Sequence, residues 1–169
     1  KELRNKGVCY CATCDAPLYK GKTVAVVGQG AGAFDAVLLL AKLAKKVYLV
    51  TSNAELRGAK ITLEQIKAAE NVEVIYSARI KRVFGKQVVE GVEIIPHLTS
   101  PLAQEGGNVS SLSDEGEDKD GGQEIKVDGV FVELGYTAKT GWLEGIVERN
   151  GHGEVIADRD GRTSLPGVF

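Results

Sequence analysis

The chain is short of several things. It has no methionine, one tryptophan and only three cysteines in 169 residues. The apolar runs stop far short of the roughly 20 residues a membrane-crossing helix needs. The chain opens with no signal-peptide pattern. Charge of neither sign prevails: 21 Lys and Arg against 23 Asp and Glu leave a net charge of −2. This balance gives no electrostatic reason to expect nucleic acid or an anionic membrane as partner. The cysteines, Cys9, Cys11 and Cys14, are odd in number and clustered, which makes a poor disulfide framework. They read better as redox, catalytic or metal chemistry.

What is present fits one globular domain. At about 100–200 residues per domain the length suffices for one core, and 43% apolar with 26% charged residues is an ordinary globular composition. Glycine is abundant, at 21 residues, which predicts tight turns and close backbone approaches. Residues 1–22 read as a leading segment that holds the cysteines. Thr23–Val27, ending at Gly28, reads as a buried parallel strand. Phe34, Val37, Leu38 and Ala41 then recur at helical spacing, with Leu40, Leu43 and Ala44 widening the stripe. Lys42, Lys45 and Lys46 suit the negative pole at that helix's end. Val47–Val50 reads as a second strand. A second helix over about 59–70 carries Ile61, Leu63 and Ile66, and Val72–Tyr76 reads as a third strand. This β-α-β-α-β order predicts an α/β, Rossmann-like, doubly wound parallel sheet with right-handed crossovers.

The pattern then changes. Ile80–Val83, Val88–Val89 and Val92–Ile95 read as shorter antiparallel strands, an added β segment. Residues 97–124 read as a loop, acid-rich over 114–120, which is either a solvated, mobile stretch or a partner contact. Ile125–Val127 and Val130–Leu134 resume strand character. The sequence ends on apolar residues at Phe169, which reads as a cut through a longer chain.

Two motifs carry chemistry. Gly28-Gln29-Gly30-Ala31-Gly32-Ala33 fits G-x-G-x-x-A after a predicted strand and before a predicted helix. Gly28 permits the turn, Gly30 lets backbone approach a pyrophosphate, and Ala33 keeps helix and strand close. The free N–H groups of the helix start face the phosphates. The alternative is a glycine turn with no ligand. The next strand end should select the nucleotide, with an acid for the ribose of NADH or arginines for the 2′-phosphate of NADPH. It offers no acid, and no arginine before Arg57, which is either a phosphate contact or a solvated side chain.

Cys11-Ala12-Thr13-Cys14 is a C-x-x-C, a spacing that brings two sulfurs into bonding range and leaves one attackable. Asp15 is placed to move protons to and from the dithiol. A metal reading remains open, since Cys9, Cys11 and Cys14 could supply three sulfurs. A closed zinc site needs four ligands, and His97 and His152 lie far along the chain. A purely structural thiol pair is the third alternative. Cys9 reads as a strand residue.

The stretch Gly7–Lys22 followed by Val24-Ala-Val-Val-Gly28 resembles the low-molecular-weight thioredoxin reductases. Lys45–Val50, Val127–Val132 with Gly135, and Arg162–Phe169 extend the resemblance end to end. It covers only that family's pyridine-nucleotide domain, which carries the redox disulfide and is inserted into an FAD domain; the FAD domain itself is absent from these residues. The resemblance implies that NADPH reduces FAD, that FAD reduces a Cys11–Cys14 disulfide with Asp15 as proton donor, and that the dithiol reduces thioredoxin. It also implies a cytoplasmic homodimer.

The sequence departs from the family's pattern at the nucleotide. The usual G-G-G-D-S-A is Gly28-Gln-Gly-Ala-Gly-Ala33 here, and the usual H-R-R-x-x-x-R keeps only Arg57. Two lost arginines remove charge-assisted bonds of about 1.5–3 kcal/mol each. NADPH is therefore expected to bind weakly, and NADH to suffer less. The condition resembles family members that take electrons from ferredoxin or another carrier. Three functions stay in view: a thioredoxin-disulfide reductase, a reductase of another acceptor such as a peroxiredoxin, and a non-enzymatic nucleotide-binding or interaction module.

Overall fold

The computed structural model describes residues 3–97, 122–135 and 139–169. The first compact unit, Lys1–Leu134, is built on a five-stranded parallel sheet. Its strands are β1 (Val8–Cys9), β2 (Thr23–Gly28), β3 (Lys46–Val50), β4 (Val72–Ile75) and β8 (Gly129–Glu133), in the order β1-β8-β2-β3-β4. Two helices, α2 (Ala31–Ala41) and α3 (Lys60–Ala68), connect β2 to β3 and β3 to β4. Strands β5 (Ala78–Phe84), β6 (Gly91–Pro96) and β7 (Gln123–Lys126) form a separate antiparallel sheet.

Strand alternation divides the core into two layers. Val24 and Val26 of β2, Val47 and Leu49 of β3 and Phe131 of β8 pack with Phe34, Val37 and Leu40 of α2. Their neighbours Ala25, Val50 and Val130 face the other way and pack with Val92 and Ile94 of β6. Successive strand side chains point to opposite faces, so a strand buried on both sides must be apolar throughout. This is why β2 and β3 read so clearly from sequence. The parallel sheet with its helices and the added antiparallel sheet are as expected.

Several boundaries differ. Val88–Val89 is not a strand but part of the turn joining β5 to β6. The Val89 N–H donates to the Lys6 carbonyl at 2.9 Å, and Val89 is buried while Val88 is exposed. Val89 is thus there to pack, not to pair. Ile61 of α3 is exposed, and Ile66 is the residue that helix buries. Leu43 and Ala44 lie beyond the end of α2, where Lys42 N–H closes onto the Leu39 and Leu40 carbonyls. Leu134 falls after β8, and Gln123 and Glu124 belong to β7 rather than to the preceding loop. Residues 98–121, with the acidic stretch 114–120, lie outside the described residues.

Residues 1–22 contribute a strand to the sheet. Val8 and Cys9 of β1 pair in parallel with Val130 and Phe131. The second compact unit, Gly135–Phe169, is held by turns. The Arg149 guanidinium donates to the Thr140 carbonyl at 2.9 Å, Arg149 and Val155 form an isolated bridge, and the Thr163 hydroxyl donates to the Val168 carbonyl at 2.9 Å. No helix among the described residues is long and apolar enough to cross a membrane.

Candidate functional site

Strand β1 delivers the chain into a short helix, α1 (Ala12–Asp15), which runs on into a 3-10 turn over Ala16–Tyr19. Cys11 caps α1: its backbone is extended, and its sulfur accepts from the Cys14 N–H at 3.3 Å. Cys11 and Cys14 are joined as a disulfide, with Cα atoms 5.3 Å apart. Cys14 is exposed and Cys11 half-buried. Pro17 stands second in the 3-10 turn, still within the first turn, where a missing N–H costs nothing.

The turn is pinned from below. Ala16 is completely buried. Tyr19 stacks edge-on against Phe131 of β8, with ring centroids 5.1 Å apart. Its hydroxyl lies 3.3 Å from the sulfur of Cys9, which is a free, buried thiol in β1. Burial pushes both the Cys9 thiol and the Tyr19 phenol above their ordinary ranges, and each is raised further by Asp15. The Asp15 carboxylate thus acts on Cys9 and Tyr19, while its backbone N–H donates to the Cys11 carbonyl at 3.1 Å.

The glycine motif forms the turn from β2 into α2. Gly28 pairs in register with Glu133 of β8, and a Cβ at Gly28 would run into the Glu133 carbonyl. Gly30 caps α2 at φ 116° and ψ −176°, a conformation reserved for glycine. A Cβ there would meet open space within 4 Å, so the loop is free on its outer side for a ligand. Ala33 is buried, with its Cβ 3.1 Å from a Cβ built on Gly28. These features fit a pyrophosphate cradle.

The side chains that follow β3 are engaged within the protein. Ser52, just past β3, donates to the Gln29 side chain of the glycine turn at 3.0 Å. Arg57 pairs with Glu55 at 3.0 Å, both well exposed. Among the described residues, no cluster of three or more His, Cys, Asp or Glu is arranged to hold a metal ion. With Cys11 and Cys14 bonded to each other, their sulfurs are not available as thiolate ligands.

Sequence reasoning missed Glu133 and the Ser52–Gln29 link. Glu133 ends β8 beside the glycine turn, and burial pushes its carboxyl up although the Ala12 N–H donates to it. The signal was topological: in open α/β sheets ligands gather at the carboxyl ends of the central strands. Only the pairing of β8 with β2 reveals that Glu133 is at such an end.

Comparison with known proteins agrees with this geometry. The family model described as pyridine nucleotide-disulphide oxidoreductase matches residues 1–169. An NADH dehydrogenase of Bacillus subtilis is 36% identical over 169 residues, all of this chain and 29% of that protein. The F component of the alkyl hydroperoxide reductase of Pseudomonas aeruginosa is 36% identical, again over all of this chain and 29% of its own length. The chain therefore spans less than a third of these curated relatives. Among solved structures, the thioredoxin reductase of T. acidophilum superposes with a TM-score of 0.77 at 26% identity, covering 99% of this chain and 49% of that one. A ferredoxin-flavin thioredoxin reductase of Clostridium acetobutylicum gives 0.53 at 30% identity, covering 99% and 45%.

Proposed function

Because the chain belongs to the pyridine nucleotide-disulphide oxidoreductase family, we propose that it is the redox-disulfide and nucleotide-binding domain of a thioredoxin reductase-like flavoprotein. The observation that carries this is the closed Cys11–Cys14 disulfide on the same sheet as a glycine turn that is open on its outer side. A bound flavin, held by a domain outside this chain, would supply an electron pair. The chain's own part is to accept it. Two electrons and two protons break the S–S bond and leave two thiols. A thiolate of the pair then attacks the thioredoxin disulfide, and the second sulfur resolves the mixed disulfide. Thioredoxin leaves as the dithiol and Cys11–Cys14 closes again. Asp15, one residue after Cys14, is the proposed proton carrier.

Gly28, Gly30 and Ala33 form the proposed nucleotide turn, with Arg57 as the remaining cation for a 2′-phosphate. Arg57 must leave Glu55 to act. NADPH is thus a poor donor in this reading and NADH is less impaired, and ferredoxin or another carrier is the alternative. The flavoprotein is proposed to be a cytoplasmic homodimer. A second acceptor, a peroxiredoxin, is favoured by the likeness to the alkyl hydroperoxide reductase component. The test is thioredoxin and peroxiredoxin reduction by the FAD-loaded protein with NADPH, NADH and reduced ferredoxin in turn, in wild type, Cys11→Ser and Cys14→Ser. Turnover surviving either substitution would remove the pair from the reaction. A wild-type disulfide that never cycles would point instead to a binding module.

A further inference from the structure

Two carboxylates flank the redox turn, and only one of them was visible in the sequence. Asp15 lies on its inner side with Cys9 and Tyr19. Glu133 comes from another strand. Strands β1 and β8 run in parallel with Cys9 opposite Phe131, so the chain two residues further on brings Cys11 and Ala12 to the level of Glu133, whose carboxyl pKa the Ala12 N–H lowers against the larger rise from burial. One of its oxygens stands 3.6 Å from where a Cβ on Gly32 would be, so the same side chain also overlooks the glycine turn. Its backbone is fixed by the β8–β2 register at Gly28. The side chain is therefore placed by the sheet, unlike the free reach of a surface glutamate.

We infer that Glu133 is a positioning residue for the redox pair: it lies at the Ala12 N–H and sets a negative charge beside Cys11, which holds down the thiolate fraction of the reduced pair without abolishing it. The inference rests on the reading that Cys11 and Cys14 cycle. Cys11 is the sulfur that the Cys14 N–H would stabilise as a thiolate, and an adjacent anion opposes that ionisation. Other groups surround the pair. Asp15 adds negative charge from the turn itself, and Cys9 and Tyr19 are held neutral by burial. Arg4 stacks on Tyr10, with its guanidinium carbon 5.5 Å from the ring centroid. The only charged residue in α2 is Asp35, which is exposed. The glycine turn contributes no charge.

The test compares wild type, Glu133→Gln and Glu133→Asp in the full chain. The disulfide is reduced with dithiothreitol, which closes to its cyclic disulfide as it gives up two electrons and two protons. The freed thiols are alkylated with iodoacetamide across pH 6–10, and fragmentation of the tryptic peptide Gly7–Lys20 assigns each sulfur. Glutamine keeps the acceptor for Ala12 and removes only the charge. With the thiol midpoint about one pH unit lower, a tenfold larger thiolate fraction is partly offset by weaker nucleophilicity. Alkylation of E133Q at pH 7 is then about threefold faster, while E133D stays close to wild type. A superimposable E133Q profile overturns the inference and leaves the redox reading standing. Equal acceleration in both variants reduces Glu133 to packing and also overturns it. A wild-type thiol midpoint of about 6 or below, as at strongly activated cysteines, does so whatever the variants show. A wild-type disulfide that resists dithiothreitol brings down both readings.

Discussion

The redox turn and the glycine turn sit at the same end of one sheet, yet they are specified to different degrees. The redox turn is over-determined. Its disulfide, the Cys9–Tyr19 contact, the Tyr19–Phe131 ring pair and the buried Ala16 all hold one geometry. The glycine turn keeps the backbone of a nucleotide site, with Gly30 in its restricted conformation and Gly28 against β8. Its recognition side chains, however, are occupied within the protein, Ser52 with Gln29 and Arg57 with Glu55. In the proposed reading the disulfide is held by packing, whereas the choice of electron donor would hang on a few exposed polar contacts.

The largest effect should come from the more constrained of the two turns. Cys14→Ser removes the disulfide outright, and thioredoxin reduction by the flavoprotein should fall to background; retained turnover would show that the turn's geometry serves something else. Next, Gly28→Ala forces a Cβ onto the Glu133 carbonyl. Backbone cannot yield as a flexible side chain would, and urea unfolding should show a loss of about 3 kcal/mol. An unchanged midpoint would mean that the two strands are less closely apposed.

The looser turn should respond in the opposite sense. Wild type is expected to bind NADPH with a dissociation constant well above micromolar. The double substitution Ser52→Arg and Asn53→Arg restores two cations at the end of β3. Calorimetry should then show about tenfold to a hundredfold tighter NADPH, with NADH little changed. If both nucleotides gain equally, the arginines act as general anion attractors and the site carries no memory of a 2′-phosphate.

The smallest effect concerns the buried pair beneath the disulfide. Cys9 and Tyr19 both bind their protons more tightly in the folded state than in the unfolded one. Their contribution is therefore complete below about pH 8.5 and is lost as pH rises through the raised values. Tyr19→Phe should cost about 1 kcal/mol at neutral pH, by loss of the contact with Cys9. It should also flatten the alkaline fall in stability. A variant as alkali-sensitive as wild type would place the responsible group elsewhere.

These contrasts also explain what could be read from the chain alone. β2 and β3 were legible because burial on both faces leaves an unbroken apolar run. β1 was legible only at Cys9, since two residues at a sheet edge carry no periodicity, and their strand character comes from pairing with Val130 and Phe131. Val88 and Val89 misled because a β-branched residue can be required by a turn that packs. At the site, Cys11, Cys14, Gly28 and Gly30 announce themselves by local spacing. Glu133 does not, because its neighbours Ala12 and Gly32 are about a hundred positions away in sequence and adjacent only through strand register. The Ser52–Gln29 bond was hidden for the same reason.

Strand β8 compresses several demands into five residues. Gly129 leaves the space that the Tyr19 ring fills, Phe131 meets that ring at its edge, and Glu133 reaches Ala12 and the glycine turn. Between them Val130 and Val132 face the opposite layer. A library randomised over this strand would sort its survivors by demand. Changes at 130 and 132 would be tolerated by volume and those at 131 by shape. At 129 almost nothing but glycine would survive, while position 133 would vary freely under selection for folding and narrowly under selection for turnover. The strand is in effect a short ruler on which folding marks the first four divisions and chemistry the last.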